Sequence, residues 1–482
     1  MLAFSHAAFG SSRRGADGAV AAGGSLVADE RSLTWSGPTS RLRVEVWGPH
    51  AVRVRATGGW PIPDRPGALL PLGPGPQVAS EAVASVSRGQ GVLVNGRLRV
   101  QLSTDGRLTF LDAGTRAPLL AEPPGRAVDR PARHFAARGD GLHRLTVSFE
   151  SDLAERIYGL GQHPNGRLDQ KGQLLDLFQR DAWVAIPFAL SSRGYGFLWN
   201  NPAIGQVHLA AAETRWTAEA TDVCDYWVVA GDTREILAAY ADATGHPRPL
   251  PDWALGFWQS RLRYRTQAEV PEVAREYRER GLPLSVIAID AWHWPLMGEW
   301  RFDPRFWPDP TTMVAELRGL GVETLVSIWP TVNPLSGTHA ELLDRGELVM
   351  AKSGGPATTT FRDVDSPQFR PLAIYDATNS AARADVWARI ERGYASIGIR
   401  AFWLDAAEPE LVPPTHESLI LAAGSGLEVG ADTPTTTPRP SSTASGRQAS
   451  RSSSCSRDRP GPGRNGSGQR CGPATSTRRG IR

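Results

Sequence analysis

The sequence predicts a β-sandwich N-terminal domain, then an incomplete (β/α)8 barrel made of its first four βα units, then a disordered C-terminal tail. Three observations predict this. Short alternating segments separated by turn residues fill residues 1–247. From residue 248 to 430 the pattern becomes apolar strand, capped helix, apolar strand. From residue 431 to 482 there is no Leu, Val, Met or aromatic residue, and a single Ile. Many short strands suit a sandwich, alternating strands and helices suit a parallel barrel, and a segment without apolar residues cannot bury enough surface to offset chain entropy.

In the first region Arg43-Val44-Glu45-Val46-Trp47 and Val52-Arg53-Val54-Arg55 alternate apolar and polar, as half-buried strands do. Gly91 to Asp112 reads as a three-strand meander with tight turns at Asn95-Gly96 and Asp105-Gly106. Further strands are expected at Gly194–Trp199 and Asp225–Val229. The Pro-rich stretch His246 to Pro251 marks the boundary. Beyond it, Ala254 to Trp258 is a short apolar strand. Thr266 and Glu269 form a capping box for a helix carrying Val270, Val273, Ala274 and Tyr277 and closed by Gly281. Leu284 to Ile289 is a buried strand ending in Asp290. A helix with Met313, Val314, Leu317 and Leu320 leads to the strand Thr324–Ile328, which ends in Trp329-Pro330. A helix capped by Ser380, with Val386, Trp387, Ile390 and Tyr394, leads to the buried strand Ile399–Leu404 and Asp405.

A chain of 482 residues has room for two or three domains. Its net charge of +3 misleads, because the ten Arg and two Asp of residues 431–482 contribute +8 and leave −5 for the rest. No nucleic-acid partner is therefore expected, and the tail has no aromatics for base stacking. Three Cys are too few for a disulfide framework, and Cys224 reads as an inert core thiol. No apolar run is long enough to span a bilayer, so no membrane partner is expected. The start, Met1-Leu2-Ala3-Phe4-Ser5, lacks the basic and apolar regions of a leader, so a cytoplasmic location is the expectation. A homo-oligomer stays open.

The chemistry is expected at the strand tips, where barrel enzymes place it. Asp405 and Glu408 follow one strand, Asp290 with Trp292, His293 and Trp294 follows another, and Trp329 ends a third. Sixteen Trp in one chain suit sugar binding, since flat rings stack on apolar sugar faces; core filling accounts for others. A retaining glycosidase needs one carboxylate as nucleophile and a second carboxyl as acid and base. Asp405 suits the nucleophile, with Glu408 as a supporting carboxylate. Plainer roles stand beside these: Asp290 as a helix-capping group, Trp403 as packing, His293 as a loop residue, and Arg301 with Asp303 as a structural pair. No metal-ligand cluster or phosphate-binding loop is present in the sequence pattern.

At this point the residues resemble a known family. Ile289-Asp290-Ala291-Trp292-His293-Trp294, Gly298 to Asp303 with Trp307-Pro308-Asp309-Pro310, Ser327-Ile328-Trp329-Pro330, Tyr375-Asp376-Ala377-Thr378-Asn379 and Phe402 to Glu410 are similar to glycoside hydrolase family 31, the α-glucosidases and α-xylosidases. Tyr158-Gly159-Leu160-Gly161-Gln162 and Gly196 to Pro202 extend the resemblance into the sandwich, which would then be galactose-mutarotase-like. The resemblance implies that Asp405 is the nucleophile, that Asp290 grips sugar hydroxyls, and that Trp292, Trp329 and Trp403 help form the sugar site. It implies an α-linked oligosaccharide or glycoside as substrate, ending in xylose or glucose, and no cofactor. The W-L-D-A-A-E-P-E pattern leans towards the α-xylosidase branch.

The resemblance stops near Gly430. The family's acid/base Asp, in a stretch resembling W-S-G-D, is absent from this chain. Residues 431–482 carry the composition of a GC-rich gene read out of frame. Codons for Asp458 to Gly466 can be chosen so that a shifted frame reads S-A-W-A-G-S-Q-R, and those for Cys471 to Ser476 can give W-S-G-D-I. The expectation is a one-base frameshift near Gly430 and an inactive product. The alternatives are a non-catalytic sugar-binding protein, with Trp292, Trp329 and Trp403 as its platform, and a pseudogene product.

Overall fold

The computed structural model describes residues 24–65, 67–71, 82–124, 131–179, 183–364, 366–407 and 416–431. The expectations for the tail from residue 432, and for Glu408 and Glu410, lie outside the described residues.

The N-terminal region packs three antiparallel sheets. The largest runs, in spatial order, Ser25–Ala28, Ser32–Ser36, Arg41–Val46, Ala51–Thr57, Cys224–Ala230, Tyr195–Trp199, Val184–Ser191 and Ile157–Gln162. A second contains Arg133–Ala137, His143–Glu150, Glu213–Thr221, Gly205–Leu209 and Leu174–Asp176. The third is a meander of Val83–Ser87, Gln90–Asn95, Leu98–Leu102, Leu108–Asp112 and Pro118–Ala121. Val44, Val54, Leu93, Phe110, Val147, Phe149 and Tyr226, from all three sheets, are fully buried in one core. Phe149 meets Tyr226 edge to face at 5.7 Å, a favoured aromatic geometry.

The meander is where the sequence places it. Asn95 pairs with Leu98 across a two-residue turn, and Gly96 supplies the φ of 56° that such a turn needs. The second connection is longer than a tight turn: Leu102 pairs with Leu108, and the five residues between are held by Gly106 N–H donating to the Ser103 carbonyl.

Two features differ from expectation. Ala51–Thr57 is not half-buried, because it lies inside the large sheet between Arg41–Val46 and Cys224–Ala230. Arg53 is consequently buried, and its guanidinium bonds Asp225, with Nη2 to Oδ2 at 2.5 Å. Asn200 Nδ2 donates to the same oxygen at 2.9 Å. Burial still pushes the Asp225 carboxyl above its usual range. Second, the region is not all β. Thr233–Thr244 is a helix started by a capping box of Asp232 and Glu235. Its Ile236 packs on Phe188, Leu198 and Trp227.

Four parallel strands follow: Trp258–Arg261, Val286–Ile289, Glu323–Ile328 and Ala401–Leu404, neighbours in space in chain order. Helices Glu269–Glu279, Pro310–Gly319 and Ser380–Gly393 connect them. Val270, Ala274, Met313, Val314, Leu317, Val386 and Ile390 cover Ile287, Ile289, Val326 and Ile328 on one face of the sheet. On the other face Val286, Ala288 and Leu325 meet Trp253, Trp258 and Ala401.

The first strand lies later than the sequence suggests. Asp252–Leu255 forms a single 3-10 turn after Pro251, and Trp258 Nε1 donates to the Ala254 carbonyl. The capping box at Thr266 is half made: Glu269 Oε1 accepts the Thr266 N–H at 3.1 Å, but the helix starts at Glu269 with no side-chain cap. Asn379, not Ser380, caps the third connecting helix, its Oδ1 accepting Ala381 N–H at 2.9 Å. The fourth strand is not buried. It pairs only with Glu323–Ile328 among the described residues, and Trp403 is 51% exposed. Its apolar run signals a neighbour that this edge lacks here.

Additional elements sit between the third and fourth strands. The helix Gly337–Asp344 is followed by a hairpin of Thr358–Asp363 and Ser366–Ile374, joined by Thr331–Val332. Residues 416–431 run from the barrel region to the sandwich. Leu419–Leu421 pairs with Met350–Ala351, and in Gly426–Val429 the Leu427 carbonyl accepts Ile204 N–H at 3.1 Å.

Candidate active site

The site forms where three parallel strands end. Ile289 pairs with Val326, so Asp290 stands beside Ser327, and Ser327 in turn pairs with Trp403. Laterally paired residues of a parallel sheet share a face. Asp290, Ser327 and Trp403 thus form one row. Asp405 extends the ladder past the fourth strand, its N–H donating to the Ile328 carbonyl at 2.9 Å.

The two aspartates are held alike. Asp290 Oδ1 accepts Ala291 N–H at 2.7 Å, and Asp405 Oδ1 accepts Ala406 N–H at 3.0 Å. Each is followed within two residues by left-handed backbone, at Trp292 (φ 67°) and Ala406 (φ 51°). Such conformations cost about 1–3 kcal/mol and concentrate at functional sites.

The Asp290 carboxyl is held above the usual carboxylate range, first by partial burial and then by the charge of Asp405. That influence of the Asp405 charge on Asp290 places the two in one electrostatic site. The neighbouring Ser327 hydroxyl opposes the rise, and Ser327 Oγ accepts Trp329 Nε1 at 3.2 Å. Ser327 was not foreseen, although it lies two residues before Trp329 on the expected strand.

The aromatic groups divide. Trp329 is partly buried and packs against Phe361 at 4.8 Å. Trp292 Nε1 donates to the Arg362 carbonyl at 3.3 Å, and Arg263 Cζ lies 5.8 Å from its ring centre. Trp403 stands half exposed on the open edge.

His293 lies in the loop after the second parallel strand, as expected, and it is fully buried there. Its Nδ1 faces the Asp290 carbonyl at 2.8 Å, and its Nε2 faces Tyr394 Oη at 2.8 Å. Burial pushes its pKa down to about 4, so the ring is neutral at pH 7, donating through Nδ1 and accepting the tyrosine proton. Arg301 and Asp303 do not pair with each other. Arg301 bonds Glu299 at 2.5 Å, and Asp303 takes a forked contact from Arg305.

One buried carboxylate had no local signal. Asp363, at the end of a hairpin strand, accepts from Met297 N–H at 2.8 Å, Asn333 Nδ2 at 2.7 Å, Trp294 Nε1 at 3.3 Å and Val364 N–H at 2.8 Å. It ties the hairpin to the loops that follow the second and third strands. Among the described residues, no group of three or more His, Cys, Asp or Glu could hold a metal ion.

Two family models match this chain. The glycosyl hydrolase family 31 TIM-barrel domain matches residues 247–425, and the family's N-terminal galactose mutarotase-like domain matches residues 41–207. A relative from Pseudescherichia vulneris, described as an uncharacterized family 31 glucosidase, is 38% identical over 427 residues, covering 84% of this chain and 78% of its own. The chain belongs to glycosyl hydrolase family 31. Another family 31 structure, an α-xylosidase from a soil metagenome complexed with xylose, superposes with a TM-score of 0.80 at 39% identity, covering 86% of this chain and 62% of the other. Alpha-xylosidase A of Aspergillus niger is 34% identical over 68% of this chain and 46% of its own length. The chain thus spans about half the length of that curated relative and under two thirds of the solved one.

Proposed function

We propose that this chain carries the nucleophile side of a retaining α-glycosidase site acting on terminal α-xylosides or α-glucosides. Asp405 is the nucleophile, Asp290 grips sugar hydroxyls, and Trp292, Trp329 and Trp403 line the sugar. The single observation that carries this is the pair of strand-tip aspartates in one field, with Asp290 raised beside Asp405. A sugar hydroxyl bridging the two would relieve that repulsion by giving Asp290 a donor. The α-xyloside leaning rests on the W-L-D-A-A-E-P-E pattern, and the relatives named α-xylosidases support it.

In the first half-reaction a carboxylate oxygen of Asp405 attacks the anomeric carbon. The bond to the leaving group breaks, and the leaving oxygen takes the electron pair and a proton from the general acid. No W-S-G-D stretch supplies that acid in this sequence. Loss of proton transfer typically costs ~10²–10⁴ in rate. The 482-residue chain is therefore proposed to be inactive on ordinary glycosides, with residues 431–482 translated out of frame. Sequencing the gene across the codons for Glu428 to Pro434 tests the frame; an unchanged reading sinks it.

The nucleophile can be tested without the acid. A 5-fluoro α-xylosyl fluoride loses fluoride without protonation, and its ring fluorine slows hydrolysis of the ester. Mass spectrometry of the digested full chain is expected to find the glycosyl group on the Asp405 peptide. Asp405→Asn is expected to give no adduct. A folded chain that binds xylose but never acquires the adduct would instead be a sugar-binding protein without turnover.

A further inference from the structure

We infer that two copies of this chain close one eight-stranded barrel, each copy supplying the four parallel strands described above. This goes beyond the glycosidase reading and does not depend on it.

Among the described residues the sheet has two open edges, one at its first strand and one at its fourth. Asp405 N–H donates to the Ile328 carbonyl, so the alternation of the strand turns the N–H and C=O of Phe402 and Leu404 away from the sheet. At the other side the Phe257 carbonyl accepts Val286 N–H at 3.2 Å, which turns the backbone groups of Trp258 and Ser260 outward. There the Ser260 carbonyl takes a surface bond from Gln259 Nε2 at 3.0 Å. Apolar side chains stand at both edges. Leu404 is 47% exposed beside Trp403, and Leu255, Phe257 and Leu262 are exposed around the first strand.

The occupant that fits both edges is a second copy. All four strands run the same way, so the fourth strand of one copy can meet the first strand of the other in the parallel sense of the sheet. A twofold axis along the barrel makes both junctions at once. Four strands from each copy give eight, a number at which a parallel barrel closes with side chains filling its interior. Closure leaves no strand edge, and a twofold pair is a finished assembly. The inner face of the sheet favours the same partner. Trp253, Trp258 and Ala401, which pack on Val286, Ala288 and Leu325, are themselves only partly buried, and a facing layer from the second copy completes their cover.

Sedimentation velocity of the full chain over a range of concentrations tests this, and the expected species is a dimer that does not grow further. Leu404→Pro removes a donor from the open side of the fourth strand and spares its ladder to the third; Ser260→Pro does the same at the first strand. Each variant alone is expected to sediment as a monomer with an unchanged circular dichroism spectrum. Mixing the two is expected to restore a dimer, because each keeps the edge the other has lost. Leu404→Lys, at an exposed position, blunts the edge without a proline and is expected to raise the dimer dissociation constant about tenfold or more. A native chain that stays monomeric overturns the proposal, as does one that grows into open polymers. A dimer that neither Leu404→Lys nor the prolines weaken overturns it too, because its interface then lies elsewhere.

Discussion

The sandwich and the parallel sheet solve the problem of sheet edges differently. The sandwich buries its polar groups inside matched pairs, such as Arg53 with Asp225, and shares one core among three sheets. The parallel sheet has an open strand on each side among the described residues, with Leu262 67% exposed at one and Trp403 half exposed at the other. Open apolar edges invite further pairing. The proposed site sits on the sheet with open edges, and the larger buried core sits in the sandwich. Stability and catalytic geometry are thus separable in this chain.

That separation can be attacked from either side. The largest expected effect is Arg53→Ala, which strands the Asp225 carboxylate in the core. It should cost about 3–5 kcal/mol, because a buried charge loses its partner. Urea unfolding followed by circular dichroism would show it. A change under 1 kcal/mol would mean that the sandwich does not depend on its buried pairs.

The next effect belongs to the parallel sheet. His293 has a folded pKa of about 4 against an ordinary 6.5, so the unfolded chain binds more protons between those values. Stability should therefore fall as pH drops from about 6.5 to 4, by about 3 kcal/mol in all. Replacing His293 with Gln should flatten this slope relative to the native chain in unfolding at several pH values. An unchanged slope would assign the acid sensitivity elsewhere.

A smaller effect is expected at the third connecting helix. Asn379→Ala removes the cap that accepts Ala381 N–H and should cost about 1 kcal/mol. Ser380→Ala should cost less, which distinguishes the observed cap from the one expected from sequence. Smallest of all, Trp403→Ser should leave stability within about 0.5 kcal/mol, since the residue lies at a half-exposed edge. Light scattering should fall if that edge drives association.

Local signals explain what was legible. Asn95-Gly96 fixed a hairpin because the turn chemistry is confined to two residues. Asp290, Trp329 and Asp405 could be placed at strand tips because an apolar run ends abruptly before each. The helix Thr233–Thr244 carries its own capping box at Asp232 and Glu235, so that omission was avoidable. The exposure of Trp403 was not legible, because a strand's burial depends on neighbours that its own residues do not encode. Nor was Asp363: its donors Trp294, Met297 and Asn333 lie thirty or more residues away, and no periodicity links them. Glu408 was foreseen from its place three residues after Asp405 and from the resemblance, and it stands outside the described residues.

The bond between Ile204 N–H and the Leu427 carbonyl also bears on how the chain is made. Its partners are more than two hundred residues apart, so the ribosome exposes one long before the other. The sandwich can order while the barrel strands are still emerging. The segment around Gly426–Val429 then docks last, onto a surface already formed, and closing so long a loop makes it a late step. A translational pause just before this segment would leave the parallel sheet without its tie to the sandwich, and that interval is when the nascent chain should depend most on chaperones.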